Sequence, residues 1–325
     1  MNSSFLAGSA MTLALALSPA SVATAEPDHG TITADQLKVA IQDLTTEPPD
    51  YPRQRRAAEL LARAGAAAEP AMPALVKVLG QPLVPVGGDD MSPVPGFEDA
   101  IAAAERAVRA IGPGAAPALI AALPASAGGH AATLLADMSD SRAVKPLVAA
   151  LGGPNEFQIQ EALVRFQGAG VSDAVASRLD SKDARVRRVV VQILIGRRDM
   201  RALPAIVDVL AKGSAYQRWE SVGDLANLRP PDVRERLHVL LEDADLGVRS
   251  EAASRLGDVG DGRDVPALIA LLADKHAHMR WGAIRALGLL RDNRAIAPLE
   301  AALKVETDNG NRQAIEASID QIKKA

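Results

Sequence analysis

The 325-residue chain contains no cysteine. Disulfides, thiol catalysis, c-type haem attachment and an N-terminal lipidated cysteine are thereby excluded. Aromatic residues make up only 2% of the chain, which leaves little material for stacking on bases or sugars. Positive charge is not in excess either. The formal net charge is −4 and the pI ≈ 5.8, so the bulk numbers make no electrostatic claim on nucleic acid or on an anionic membrane. Beyond the first 25 residues no stretch approaches the ~18 apolar residues that a spanning helix needs. What is present is apolar mass, 48% of the chain, carried mostly by Ala, Leu and Val. That composition suits closely packed helices whose stability comes from stacking alone.

The first residues read as an export signal. Phe5 to Ala23 is apolar and small, with Leu13, Leu15 and Leu17 at its centre, and Ala23-Thr24-Ala25 gives the A-x-A cleavage pattern. Met1 to Ser4 departs from the usual signal in having no Lys or Arg. The expectation is a signal peptide over residues 1–25 with cleavage after Ala25. The product is then exported, periplasmic or secreted, with no integral membrane span after cleavage.

A 31-residue step dominates the rest. Leu179, Leu210, Leu241, Leu272 and Leu303 follow one another at intervals of 31, and Arg187, Arg218, Arg249 and Arg280 each stand eight residues after the first four. A fixed period of this length marks a solenoid, in which each unit buries its apolar face against its neighbours. Within a unit the pattern is helix, tight turn, helix. In DLGVRSEAASRLGDVGDGRDVPALIALL, Val248, Ala252 and Leu256 fall on one helical face. Gly257 and Gly260 flank the expected turn, where glycine supplies positive φ. Asp261 and Asp264 are placed to cap the following helix, and Pro266 sits in its first turn.

Three segments follow the signal in this reading. Residues 26–49 form an N-terminal capping helix, with Thr33 and Gln36 at capping-box spacing and Leu37, Ile41 and Leu44 on one face. Residues 50–325 form the repeat array, closed by a polar helix near Asn311 to Lys324. Residues 81–97, with four prolines, three glycines and two aspartates, interrupt the first repeats as an insertion loop.

The strings VRSEAASRLG with DVPALIALL, and MRWGAIRALG with RAIAPLEAAL, follow the pattern V-R-x-x-A-x-x-x-L-G, with Met279 in the Val place of the second, then D-x-R, then P and L-x-x-x-L. This pattern resembles the short bacterial HEAT-like repeats, also found in phycobilisome lyases. The resemblance covers roughly residues 50–325. It implies an all-α fold, a right-handed α-solenoid of about eight helix-turn-helix HEAT-like repeats. It also implies that the recurring Asp and Arg residues form a structural ladder.

Recurrence in every unit is what a structural role predicts. The D-x-R strings Asp140/Arg142, Asp199/Arg201, Asp261/Arg263 and Asp292/Arg294 fit it, since Asp caps a helix and Arg reaches nearby acceptors. A functional site should appear as an exception. His276-Ala-His278 after Asp274 is one, but residues two apart do not face each other on a helix, and a firm metal site needs more ligands. Asp258, Asp261 and Asp264 lack the alternating ligands of a calcium loop. The deoxyhypusine hydroxylases, which are HEAT-like enzymes, carry His-Glu pairs, and this chain has no His-Glu dipeptide. Catalytic, cofactor-binding and metal-ligating residues are therefore assigned to none.

The candidates for protein binding are three groups. Trp219 and Trp281 are the only tryptophans and each follows a column Arg. They are read either as a partner contact or as packing over neighbouring helices. Arg185, Arg188, Arg197 and Arg198 make one unit locally basic, suited either to an acidic partner segment or to a solvated face. Ala267 and Ala270 belong to a small, apolar stripe on the second helices, read either as a shallow groove or as room for close helix packing. The expected function is an exported, non-enzymatic protein-interaction scaffold or adaptor with protein partners, no nucleic acid and no cofactor. The alternative is a lyase-like or chaperone-like protein acting on a bound chromophore or cofactor.

Overall fold

The computed structural model describes residues 31–82, 85–87 and 90–324. The expected signal over residues 1–25 lies outside them. Helix α1 spans Ala34–Leu44. Eight helix pairs follow: α2 Tyr51–Ala64 with α3 Met72–Leu79, α4 Phe97–Ile111 with α5 Ala116–Ala122, α6 Gly128–Met138 with α7 Val144–Ala149, and α8 Glu156–Arg165 with α9 Val171–Ala176. The remaining pairs are α10 Ala184–Gly196 with α11 Leu203–Lys212, α12 Ala215–Leu228 with α13 Val233–Leu240, α14 Leu246–Val259 with α15 Val265–Leu271, and α16 Ala277–Leu290 with α17 Ile296–Val305. Helix α18, Asn309–Lys323, closes the array.

The architecture is an all-α solenoid. First helices stack on first helices, and second helices form the other layer. Helix α1 packs on α2 and α3, and α18 packs on α16 and α17, so each end of the array is covered. Thr33 and Gln36 form the expected capping box on α1. Within the 81–97 insertion, β1 (Pro85–Gly87) pairs antiparallel with β2 (Asp90–Pro93), a small hairpin where a loop was expected.

The core runs between the layers. Leu225, Leu256 and Leu287 on the first helices and Leu237, Leu268 and Leu299 on the second are fully buried, each set at the 31-residue step. The leucines that reveal the period lie nearer the surface: Leu179, Leu210, Leu241 and Leu303 are only half-buried. They sit near the ends of second helices rather than at the centre of a unit.

The Asp and Arg residues form the ladder. In the turns, Asp140, Asp199, Asp261 and Asp292 each accept a hydrogen bond from the backbone N–H two residues on, at 2.8–3.0 Å. Arg142 then reaches back to the Pro113 carbonyl at 2.6 Å, and Arg201 to Asp173 at 2.8 Å, each in the preceding unit. Column residues Arg187, Arg249 and Arg280 donate to carbonyls five or six residues earlier, tying each first helix to the loop before it.

Two local expectations change. Asp264 does not cap α15 with its side chain. Its carboxylate is fully buried and accepts from Arg234 at 3.0 and 2.8 Å, from the Asp261 N–H at 2.8 Å, and contacts His238 Nε2 at 2.7 Å. Gly257 and Gly260 are not needed for positive φ. Gly257 lies inside α14, where a Cβ would come within 2.6 Å of Ala286 Cα. Its role is close approach of α14 to α16.

Candidate binding cleft between the fifth and sixth units

The stacking of first helices is uneven. Helices α14, α16 and α18 lie close together, whereas α10 touches α8 and α12 only sparsely. The sequence supplies the reason. Close approach needs small residues at the contact, such as Gly257 against Ala286 and Gly282 against Ser250, whose carbonyl would be 2.6 Å from an added Cβ. The positions on α10 that correspond to Gly257 and Gly282 are Ile195 and Val189. Their branched side chains hold neighbouring backbones apart.

Charge reinforces the gap. Arg218 on α12 forms a two-point ion pair with Asp243, just before α14, at 2.9 and 2.8 Å. Arg280 does the same with Glu306, just before α18, at 2.7 and 2.6 Å. Such paired, charge-assisted bonds join one unit to the next. At the equivalent place for Arg187 stands Lys212, another cation, which turns to Asp208 instead. The α10–α12 junction therefore has neither the glycine contact nor the ion pair.

A cleft of about 1030 Å³ opens there. This is just above the ~300–1,000 Å³ typical of ligand pockets. Its floor is apolar, with Ala205, Ile206 and Val209 of α11. One wall is α10, presenting Arg187, Arg188 and Gln192. The other is α12, presenting Tyr216, Gln217, Glu220 and Asp224. Glu156 and Gln160 of α8 close one end. A Ser214–Gln217 capping box fixes the start of α12. Arg197 pins the far ends of α10 and α8 together, donating to the Leu163, Val164 and Phe166 carbonyls at 2.8, 3.2 and 3.0 Å. This tie holds the α10 wall to α8, on the side away from α12.

Asp224 and Glu156 are the half-buried carboxylates of the cleft. Asp224 accepts one hydrogen bond, from Gln192 Nε2 at 3.0 Å. Burial pushes its carboxyl above the usual carboxylate range, the Gln192 bond pulls it down, and the charge of Glu220 adds to the rise. The Tyr216 hydroxyl donates to Glu220 Oε1 at 2.9 Å, and its ring lies 6.0 Å from that of Trp219.

The expected binding residues do not converge. Trp219 and Trp281 are 43% and 42% exposed on α12 and α16, and Trp219 stands beside Gly247 of α14. The equivalent position Ser250 is buried and donates to the His278 carbonyl at 2.7 Å, so that column is not uniformly at the surface. Of the four arginines, Arg188 lines the cleft. Arg185 donates to the Gly152 carbonyl at 3.0 Å, and Arg198 is exposed at the turn after α10 with φ 54°. Arg197 does not face a partner, because its guanidinium is spent on the end of α8, where burial lowers its pKa. Ala267 and Ala270 lie on α15, in the second layer, away from the cleft wall; Ala267 is half-buried and Ala270 exposed. Among the described residues no group of three or more His, Cys, Asp or Glu side chains is arranged to hold a metal. No helix among them is long and apolar enough to cross a membrane.

Sequence reasoning missed the cleft. Its one visible signal is Lys212, a cation at the position that Asp243 and Asp274 hold one and two units later at the 31-residue step.

A family model described as HEAT repeats matches residues 203–277 and 263–320. No curated protein matches the chain in sequence. Among solved structures, the chain is similar to the complex of CpcE and CpcF of phycocyanin lyase from Nostoc sp. PCC7120, at 20% identity and a TM-score of 0.36, with 64% of this chain and 94% of that chain covered. It is similar to YibA of E. coli at 15% identity and a TM-score of 0.37, with 90% and 83% covered. It is similar to human deoxyhypusine hydroxylase at 19% identity and a TM-score of 0.33, with 79% and 97% covered.

Proposed function

We propose that this HEAT-like repeat protein is an exported, non-enzymatic interaction scaffold that receives a segment of a partner protein in the cleft between α10 and α12. The observation that carries the reading is the cleft itself. It combines an apolar floor, walls of both charge signs, and the exposed Tyr216 at its edge. An open groove of this kind suits an extended or helical segment, with apolar contact for affinity and a few polar groups for orientation. The surrounding units hold the walls in place through the ladder. Export, with residues 1–25 removed, belongs to the same reading and rests on the apolar N-terminal stretch and its A-x-A pattern.

In-cell crosslinking, purification from the envelope fraction and mass spectrometry test it. The expected result is one recurrent protein partner, linked through cleft residues. Absence of any enriched protein contradicts the scaffold.

One observation favours the second reading, a lyase-like or chaperone-like protein for a bound chromophore or cofactor. The cleft is large enough for a small molecule and holds a half-buried carboxylate with a raised pKa. A coloured or ligand-loaded protein, as purified, would support that reading over the scaffold.

A further inference from the structure

Most half-buried or buried acids of this array are matched to arginine. Asp243 meets Arg218, Asp264 meets Arg234, and Glu306 meets Arg280, each within 3.0 Å. Even the exposed Asp137 takes Arg109 at 3.1 Å and Arg165 at 2.8 Å. The three carboxylates of the cleft differ. Asp224 has only the neutral Gln192 amide, and Glu220 only the Tyr216 hydroxyl. Glu156 Oε2 is buried with no hydrogen-bond partner. Among the described residues none of the three has a cation within 4.0 Å. An unpartnered buried carboxylate oxygen costs on the order of 1–3 kcal/mol, and more when charged, so the half-buried Asp224 and Glu156 are left open at a cost, while Glu220 is exposed at the rim beside them.

The cleft has two cations of its own, and both lie at the wrong depth to serve. Arg187 and Arg188 are exposed, and Arg187 is already engaged by the Ser181 and Lys182 carbonyls at 2.5 and 3.1 Å. Asp224 and Glu156 are half-buried and line the same cleft as the apolar Ala205, Ile206 and Val209. A group that reaches them from outside must pass that floor with an apolar body and end in a cation. Lysine and arginine have this shape, an aliphatic stem with a charged head.

We propose that the cleft takes an extended peptide segment that inserts a lysine or arginine side chain between α10 and α12, its stem on Ala205 and Val209 and its cation on Asp224 and Glu220. This rests on the cleft being the docking site and adds the chemistry of its occupant. The amides of Gln160 and Gln217 and the exposed Arg188 are placed to meet the segment's backbone carbonyls. The raised pKa of Asp224 is consistent with a carboxylate that lacks its counterion.

A random dodecapeptide display library, selected on the immobilised full chain, tests both layers of the argument separately. Three variants accompany the wild type. Val209→Trp plugs the floor. Glu220→Gln with Asp224→Asn removes the negative charge at nearly constant shape. Asp320→Asn, on α18, is a remote control. The proposal expects selected peptides to be enriched in Lys or Arg beside apolar residues. Their binding should be lost in the plugged variant, weakened about ten-fold or more in the neutralised one, and unchanged in the control. Cleft-dependent peptides without basic enrichment, or basic peptides indifferent to the neutralised variant, overturn the proposed chemistry while leaving docking in the cleft intact. Selected peptides that bind the plugged variant as well as wild type overturn both, as does a selection that enriches none. Circular dichroism of each variant establishes that it is folded, and the near-isosteric Asn and Gln changes keep the test valid if Val209→Trp is not.

Discussion

Arg218 and Asp243 are held in a two-point ion pair, while the residues one unit earlier at the same separation, Arg187 and Lys212, are both cations. This single exchange of sign coincides with the place where the first-helix layer opens. The Asp274 position shows that a missing bridge alone does not open the stack. Asp274 turns to His276, yet α14 and α16 stay close through Gly257 and Gly282. Among the four junctions from α10 to α18, the α10–α12 junction lacks both devices.

Lys212→Asp should therefore restore the missing bridge to Arg187. Charge-assisted hydrogen bonds stabilise a junction, but this pair is exposed and screened by solvent, so a small gain in stability is expected. Hydrogen exchange should slow across the start of α12, and the melting temperature should rise. Unchanged exchange there would separate the cleft from the broken ladder.

Asp224→Asn should stabilise the protein at neutral pH. Burial raises the Asp224 pKa in the folded state, so that state holds the proton more tightly than the unfolded chain. Stability from this group is then present below the unfolded value and is lost as pH rises through the raised folded value. The wild type should lose stability relative to the Asn variant across that interval and match it at lower pH. Denaturant titrations at several pH values check the sign.

Glu306 works in the opposite direction. The Arg280 guanidinium lowers its pKa from 4.5 to about 2, with further help from the Asp308 N–H and the Asn311 amide and against the effect of burial. Its contribution is present above the unfolded value and is lost as pH falls from about 4.5 toward about 2. Arg280→Leu leaves Glu306 buried without its counterion and should cost about 3 kcal/mol at pH 7. The damage should fall on α18, read as faster amide exchange over residues 309–323.

Gly257→Val should destabilise the junction of α14 with α16 by about 2–3 kcal/mol, because even a Cβ would stand 2.6 Å from Ala286 Cα and the contact is backbone. The same change at Ala226, the equivalent position on α12, meets no glycine-mediated contact and should cost less. Thermal unfolding of the pair of variants compares them directly.

The fold was legible because its causes are local and repeated. Apolar spacing at Val248, Ala252 and Leu256, the Thr33–Gln36 box and the D-x-R turns each report a helix or its end within a few residues. The cleft was not legible for the converse reason. It depends on what neighbouring units lack, and Asp224 occupies a column that elsewhere holds Ile193, Arg255 and Ala286, with no pattern to flag it. Arg197 shows the same limit. Its sequence neighbours make it look like part of a basic surface, whereas the chain turns it inward onto the carbonyls that end α8.

The most direct measurement places a photo-crosslinking amino acid at Gln217, on the cleft wall, and separately at Ala270, on the second-helix layer, in the full chain expressed in cells. The account predicts one recurrent protein adduct from Gln217, diminished by Val209→Trp, and none from Ala270. A recurrent adduct from Ala270 with none from Gln217 would contradict it and move the binding surface to the second helices.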